Sequence, residues 1–269
     1  MPFKVFCICV LMTIAASCSS NKYAATNRVY KRQAKSFGKI IRKSPARDIY
    51  NSQSGWVGTT NFGIRKPNFV IIHHTAQNSC EQTLQTFTLT RTQVSAHYVI
   101  CKDGTIHHML NDYLRAWHAG AGSWGNDKDI NSSSVGIELD NNGFDSFPPA
   151  QVNSLLTLLD TLKNSYNIPA ANFIGHGDIA PTRKNDPNVK FPWQLLSQQG
   201  YGIWYGDTSY ISVPADFNPL QALRIIGYSV KDSNAAKVAF KRHFEMQDSI
   251  TIINDADKKI LYDLMLKYQ

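Results

Sequence analysis

The stretch from Asn68 to His73, Asn-Phe-Val-Ile-Ile-His, constrains the fold more than any other part of the chain. It is a short apolar run rich in β-branched residues that follows Pro67, and it reads as a buried strand. Comparable runs recur downstream. HYVICK (97–102) and TIHHML (105–110) flank Asp103-Gly104, the signature of a tight hairpin. SVGIELD (134–140) and NFIG (172–175) are two further strands. Between those two, Val152, Leu155, Leu156, Leu159, Leu162 and Tyr166 recur at helical spacing, with Pro148-Pro149 before them and Pro169 beyond. Strands interleaved with helices, one hairpin among them, predict an α/β fold with a mixed central β-sheet flanked by helices. No internal repeat is present. After about residue 205 the texture changes. Leu220, Leu223 and Gly227-Tyr228, then Val238, Phe240 and Phe244, then Ile260, Leu261 and Leu264 predict three short helices in a small satellite bundle.

At 269 residues the chain can hold one sizeable domain and a small appendage. Its first residues are not part of that core. Lys4 precedes the apolar run VFCICVLMTIAAS, which is short for a membrane span and ends in small residues, as an export signal does. Ala15-Ala16-Ser17-Cys18 resembles the lipobox of bacterial lipoproteins, with Ala15 where many members carry leucine. In that reading Cys18 is the lipidated first residue of the mature chain; the alternative is an ordinary signal with an incidental cysteine. Cys80 and Cys101 remain in the body, where an exported pair forms either a disulfide or two buried thiols.

The net charge of +8 is unevenly placed. Residues 22–47 hold nine Lys or Arg and no acid, so the body after them is close to −2. A nucleic-acid binder would carry its basic surface on the fold itself, so nucleic acid is excluded as a partner. The basic tether suits anionic headgroups beside a lipid anchor, or serves as a solvated linker.

Thirteen residues from Gly175 to Pro187, GHGDIAPTRKNDP, concentrate chemistry between turn formers that disfavour a regular helix. His73 and His176 each end an apparent strand, where α/β sheets place functional groups. Two imidazoles and the carboxylate of Asp186 would make a three-ligand zinc site with an open position for water. A bent loop can bring His176 and Asp186 to one ion, whereas ten residues of helix would hold them about 15 Å apart. A general base is also needed. Alternation along GIELD turns Glu138 away from Ile137 and Leu139, and Asp140 shares its face as the rival. Lys184 or Arg183 would supply a cation for a developing oxyanion. Asp178 reads as a residue that orders the loop through backbone hydrogen bonds.

Taken together, IIHHTA (71–76), SAHYVICKDGTIHHML (95–110), RAWHAG (115–120), SSVGIELDNNG (134–143) and GHGDIAPTRKNDPNVKFPW (175–193) resemble the type-2 N-acetylmuramoyl-L-alanine amidases. These are relatives of phage T7-type lysozyme and the peptidoglycan recognition proteins, and the resemblance is closest to the lipoprotein amidases of the bacterial outer membrane. It covers roughly residues 55–200. It implies one zinc ion on His73, His176 and Asp186, a general base at Glu138 and a transition-state lysine at Lys184. It also implies that His74 is a cleft-wall residue, that His97 faces substrate, and that Trp117, His118 and Trp124 line the glycan-peptide groove, unless those rings only pack. Ala96 stands where the phage enzymes carry a tyrosine, so that tyrosine's role has no counterpart here. The tail resembles a three-helix peptidoglycan-binding module in part.

The implied organisation is a signal peptide at 1–17, a lipidated N-terminus and basic tether at 18–54, a zinc amidase domain at 55–205, and a helical module at 206–269. The implied activity is hydrolysis of the amide between N-acetylmuramic acid and L-alanine in peptidoglycan or muropeptides. Two alternatives are a non-catalytic recognition module on the same fold and a zinc peptidase cutting within the stem peptide. The expected protein is a monomer held by a lipid anchor at Cys18 in the bacterial cell envelope, on the outer membrane and facing the periplasm.

Overall fold

The computed structural model describes residues 22–42, Thr59, Asn61, Ile64 and 66–269. The expected signal and Cys18 lie outside the described residues. Two compact units divide the chain, residues 1–62 and 63–269. In the first, one helix of 18 residues is described, α1 (Ala24–Ile41), and none of its side chains is buried.

The second unit is built on five strands: β1 (Phe69–His74), β2 (Tyr98–Ile100), β3 (Ile106–His108), β4 (Ser134–Leu139) and β5 (Phe173–Gly175). Their order across the sheet is β3-β2-β4-β1-β5. β2, β4, β1 and β5 run parallel, and β3 returns antiparallel on β2 through the Asp103-Gly104 turn, with Gly104 at φ +89°. The sheet is therefore mixed, as the interleaved pattern predicts. Side chains alternate between two cores. Val70, Ile72, Val135, Ile137 and Leu139 pack on Val152, Leu155 and Leu159 of α4 (Pro149–Tyr166). Pro149 opens that helix, where its missing N–H costs nothing, and Asn167 closes it at φ 52°. On the opposite face Ile71 and Ile174 meet Ile179 and the C-terminal helices.

Those helices are α7 (Pro219–Ile226), α8 (Ser233–Glu245) and α9 (Asp255–Lys267), numbered after the turns α3 (Ile130–Ser133) and α5 (His176–Ile179) and the short α6 (Trp193–Gln198). Three helices are found where three were expected, but they do not stand apart as a satellite. Ala222, Leu223, Phe240, Phe244 and Leu261 share one buried cluster with Ile71 and Ile174 of the sheet. The reason is that the sheet's second face would otherwise be exposed, and each fully buried aliphatic or aromatic side chain contributes about 1.5–3 kcal/mol. Within the bundle, buried Lys241 joins α8 to α9 through Asp257 at 2.6 Å and also bonds Glu245 at 2.9 Å. A disulfide between Cys80, the first residue of α2 (Cys80–Thr88), and Cys101 resolves the open choice between a bridge and two thiols; their Cα atoms are 5.3 Å apart.

Candidate active site

Three adjacent parallel strands deliver the site. In the β1–β4 register His73 lies opposite Glu138, and in the β1–β5 register Ile72 lies opposite Gly175, so His73 and His176 come next along their strands. All three functional side chains therefore sit at the carboxyl ends of neighbouring strands, with His73 in the middle.

The segment expected as an irregular loop begins with one helical turn. His176 to Ile179 form α5, initiated because Asp178 accepts the Gly175 N–H at 2.8 Å. The chain then reverses: Lys184 N–H bonds Ala180 C=O, and Gly177 N–H bonds Asp186 C=O at 2.7 Å. That closure returns Asp186, which precedes a cis bond to Pro187, to the side of His176.

His73 Nδ1 lies 2.9 Å from His176 Nδ1, and Asp186 Oδ2 lies 3.0 Å from each. All three residues are buried. The outer hydrogen bonds settle the tautomers. Ser134 Oγ–H donates to Ile130 C=O, which leaves the same oxygen to accept from His118 Nε2–H at 3.1 Å. His118 Nδ1 is then an acceptor, and it takes a proton from His73 Nε2–H at 3.0 Å. His176 Nε2–H donates to Ala119 C=O at 3.1 Å. Both Nδ1 lone pairs consequently point at each other and at a carboxylate, with no proton between them. Three converging acceptors repel unless a cation lies among them, and two imidazoles with one carboxylate are a donor set suited to zinc.

Electrostatics agree. Burial, reinforced by the neighbouring His176, lowers the His73 pKa to about 4, so the ring stays neutral and able to ligate. His118 is held well below its ordinary value by burial and by His73. Asp186, despite its burial, is lowered far below the usual carboxylate range by the adjoining His176 and His73. Glu138 is pushed up to about 8 by burial and by the nearby Asp186 carboxylate. Its Oε1 is 4.0 Å from His73 Nδ1, and its Oε2 is buried with no hydrogen-bond partner among the described residues.

These groups open onto a cleft of about 310 Å³ whose walls include His74, Thr75, Phe87, Trp117, His118, Glu138 and Lys184. Trp117, half exposed, stands at the rim. His74 accepts the Asn188 N–H at 3.1 Å and forms part of the wall. The rivals for two roles fall elsewhere. Arg183 spends its guanidinium on the carbonyls of Ala119 and Ala121, whereas the exposed Lys184 ammonium makes no hydrogen bond or ion pair among the described residues. Asp140 lies one residue past the end of β4, away from the cleft, where Gln151 bonds its carbonyl.

Two residues expected in the groove are not there. His97 is fully buried; its Nδ1 accepts the Gly136 N–H and its Nε2–H donates to Leu114 C=O, each at 3.0 Å. It ties β4 to the 110–114 loop. Trp124 is also buried, edge-on to Tyr228 at 4.9 Å and closely packed on Gly227, joining the sheet layer to α7. His118 touches the cleft, but its ring is engaged behind His73.

Several residues that support the site were not singled out from the sequence. Asn131 Oδ1 accepts the N–H groups of His118 and Ala119. Asp178, expected to order the loop, does so and also takes hydrogen bonds at 2.8 Å from Tyr228 and His243. His243 stacks on Trp193 at 4.0 Å, and Arg242 reaches Lys184 C=O beneath the loop. No local pattern signals contacts across 50 to 65 residues.

The family model for N-acetylmuramoyl-L-alanine amidases matches residues 63–189. Over 206 residues the chain is 34% identical to the N-acetylmuramoyl-L-alanine amidase AmiD of Escherichia coli K12, spanning 65% of this chain and 74% of that protein. Over 101 residues it is 40% identical to the 1,6-anhydro-N-acetylmuramyl-L-alanine amidase AmpD of Salmonella typhimurium, a match covering 38% of this chain and about half of that protein, 54%. Among solved structures, AmiD from E. coli in complex with anhydro-N-acetylmuramic acid-L-Ala-D-γ-Glu-L-Lys superposes with a TM-score of 0.68 at 28% identity, over 78% of this chain and 93% of that one. AmpDh3 from Pseudomonas aeruginosa gives 0.69 at 27% identity, over 82% and 99%.

Proposed function

The chain belongs to the N-acetylmuramoyl-L-alanine amidase family, and on that footing we propose that it is a zinc-dependent enzyme hydrolysing the amide between N-acetylmuramic acid and L-alanine in muropeptides. The observation that carries the zinc reading is the buried triangle of His73 Nδ1, His176 Nδ1 and Asp186 Oδ2, each within 3.0 Å of the others. The substrate reading rests on the relatives, of which E. coli AmiD was solved with an anhydromuramyl tripeptide.

His73, His176 and Asp186 would hold one zinc ion. When bound, the ion would polarise the scissile carbonyl and acidify the attacking water. Glu138, whose unpartnered Oε2 faces the same space, accepts the proton from that water and passes it to the leaving amine of L-alanine. Its raised pKa favours both halves of the transfer, since a base near neutrality can take and return a proton. Lys184 places an ammonium at the mouth of the cleft, where negative charge develops on the former carbonyl oxygen. His118 and the Ala119 carbonyl keep the two histidines in the ligating tautomer.

The proposed role is wall turnover or recycling in the cell envelope, with the mature chain lipid-anchored at Cys18 on the outer membrane. For residues 206–269 we retain the proposal of a wall-binding module. It is supported by an open groove of about 750 Å³ whose lining includes Phe217, Leu220, Ile252 and Ile253.

The test uses zinc-loaded chain beginning at Ser19 and a purified 1,6-anhydromuropeptide, with products read by mass spectrometry. Free peptide beginning with L-alanine, abolished by a chelator, is expected. Cleavage inside the stem peptide would reassign the enzyme as a peptidase, and substrate bound but uncut would make it a recognition protein.

A further inference from the structure

The first unit contains a surface that the amidase reading does not use. The sequence of α1, Ala24 to Ile41, places its two residue classes on opposite sides of the helix. At 100° per residue, Arg28, Lys31, Arg32, Lys35, Lys39 and Arg42 fall within an arc of about 100°. Val29, Tyr30, Ala34, Phe37, Ile40 and Ile41 occupy an opposite arc of about 140°. No acidic residue lies anywhere between residues 22 and 47, so no cation of this helix has a carboxylate neighbour within it. Large apolar side chains on that side are exposed among the described residues: Phe37 is 49% exposed, Ile40 60% and Ile41 78%.

These features do not suit a helix standing alone in water. An isolated helix of 18 residues is marginal, and here charge repulsion along one side adds to the cost. An exposed apolar stripe under a wholly basic face fits one kind of surface, an anionic lipid bilayer entered at headgroup depth. No helix among the described residues is long and apolar enough to cross a membrane.

We propose that α1 lies in the plane of an anionic membrane, with Phe37, Ile40 and Ile41 in the acyl boundary and the six cations at the phosphates. The helix begins six residues after Cys18. A lipid chain there and a polybasic helix beside it would be the two signals that stable anchoring needs, since a single acyl chain holds only reversibly. The helix would also bind without the acyl chain, and this separates the claim from lipidation. The proposal is independent of the zinc site, so its failure would leave the amidase reading intact.

The experiment uses the chain beginning at Ser19, which keeps α1 and the whole of the compact second unit. Sedimentation with vesicles compares phosphatidylglycerol mixed into phosphatidylcholine with phosphatidylcholine alone. Binding is expected only to the anionic vesicles and should fall with salt. Replacing Lys31, Lys35 and Lys39 together by Gln should weaken it on the order of 100-fold, at roughly five-fold per cation. A second readout tests insertion. With Cys80 and Cys101 paired, a single cysteine introduced as F37C or K35C carries an environment-sensitive dye. The dye at 37 should shift to the blue on anionic vesicles, and the dye at 35 should not.

Absence of vesicle binding, equal binding to neutral vesicles, or equal dye response at the two positions would each overturn the proposal. So would a fall in the melting temperature of the vesicle-free protein when Phe37 and Ile41 are changed to Asp. That result would mean the apolar face is covered by the protein itself.

Discussion

Replacing Gly136 by alanine should weaken zinc binding without touching a ligand. A methyl group at this position of β4 would stand 2.4 Å from Cγ, 2.6 Å from Cδ2 and 2.7 Å from Nδ1 of the His118 ring. Carbon contacts settle near 3.5–4.0 Å, so the ring must retreat by about 1 Å. His118 Nδ1 now lies 3.0 Å from His73 Nε2, and a retreat of that size breaks the bond. His73 then loses the partner that fixes its tautomer. Outer partners of metal-bound histidines typically matter by about 10–100-fold in metal affinity, or roughly 1.4–2.7 kcal/mol. Overpacking adds about 1–3 kcal/mol of destabilisation. Competition against a chromophoric chelator measures the first quantity, and urea unfolding of the metal-free protein the second. The double variant G136A with H118A separates them: removing the ring relieves the clash, so stability recovers relative to G136A, while zinc affinity stays low. Wild-type zinc affinity in G136A would refute the reasoning, because the chain of hydrogen bonds from Ser134 to His73 would then not govern the site.

Three further outcomes follow from the same structure. Metal-free Glu138→Gln protein should lose stability on acidification from pH 6.5 to 4, because His73 titrates at about 4 when folded and near its ordinary 6.5 when unfolded, so the unfolded chain takes up the proton first. The His73 slope is about 1.4 kcal/mol per pH unit, near 3 kcal/mol in all; in the unsubstituted protein Glu138, raised to about 8 when folded, offsets it, so the substitution exposes it, and a flat urea-derived profile in that variant would contradict the assignment. Asp178→Ala should cost on the order of 3 kcal/mol, since it strands the buried Tyr228 hydroxyl, the His243 Nδ1–H and the Gly175 N–H; a loss under 1 kcal/mol in urea would show that the C-terminal helices do not depend on this carboxylate. Replacing Cys80 and Cys101 by serine should lower stability by about 3 kcal/mol for a closure of 21 residues, measured as a fall in urea midpoint, and an unchanged midpoint would argue against the bridge.

What could be read from the chain follows from how local each signal is. His73, Glu138 and His176 were legible because each ends or sits near the end of an apolar β-branched run, and period-two alternation separates Glu138 from Ile137 and Leu139. Alternation alone does not separate Asp140 from Glu138; Asp140 lies one residue past the end of β4 and outside the cleft lining. His97 and His118 cannot be told apart by residue type. The first is locked by backbone groups inside the sheet, and the second is aimed at His73 by Asn131 and Ser134. Trp124 looked like a groove residue because aromatic side chains serve both purposes, and its partner Tyr228 is 104 positions away. The helical tail showed its periodicity but not its destination. Its buried face meets the second face of the sheet, and nothing in the tail's own spacing says so. The one-turn helix at His176 escaped the reading because Asp178 initiates it in a segment whose glycines and prolines argue against a longer one.

The measurement closest to the central claim is zinc content and turnover on the same preparation of Glu138→Gln. The account predicts one zinc per chain, as in the unsubstituted protein, with the rate of L-alanine-terminated peptide release lowered by about 10²–10⁴-fold. Turnover within a few-fold of the unsubstituted enzyme would contradict it, because Glu138 would then not be the group that moves the proton.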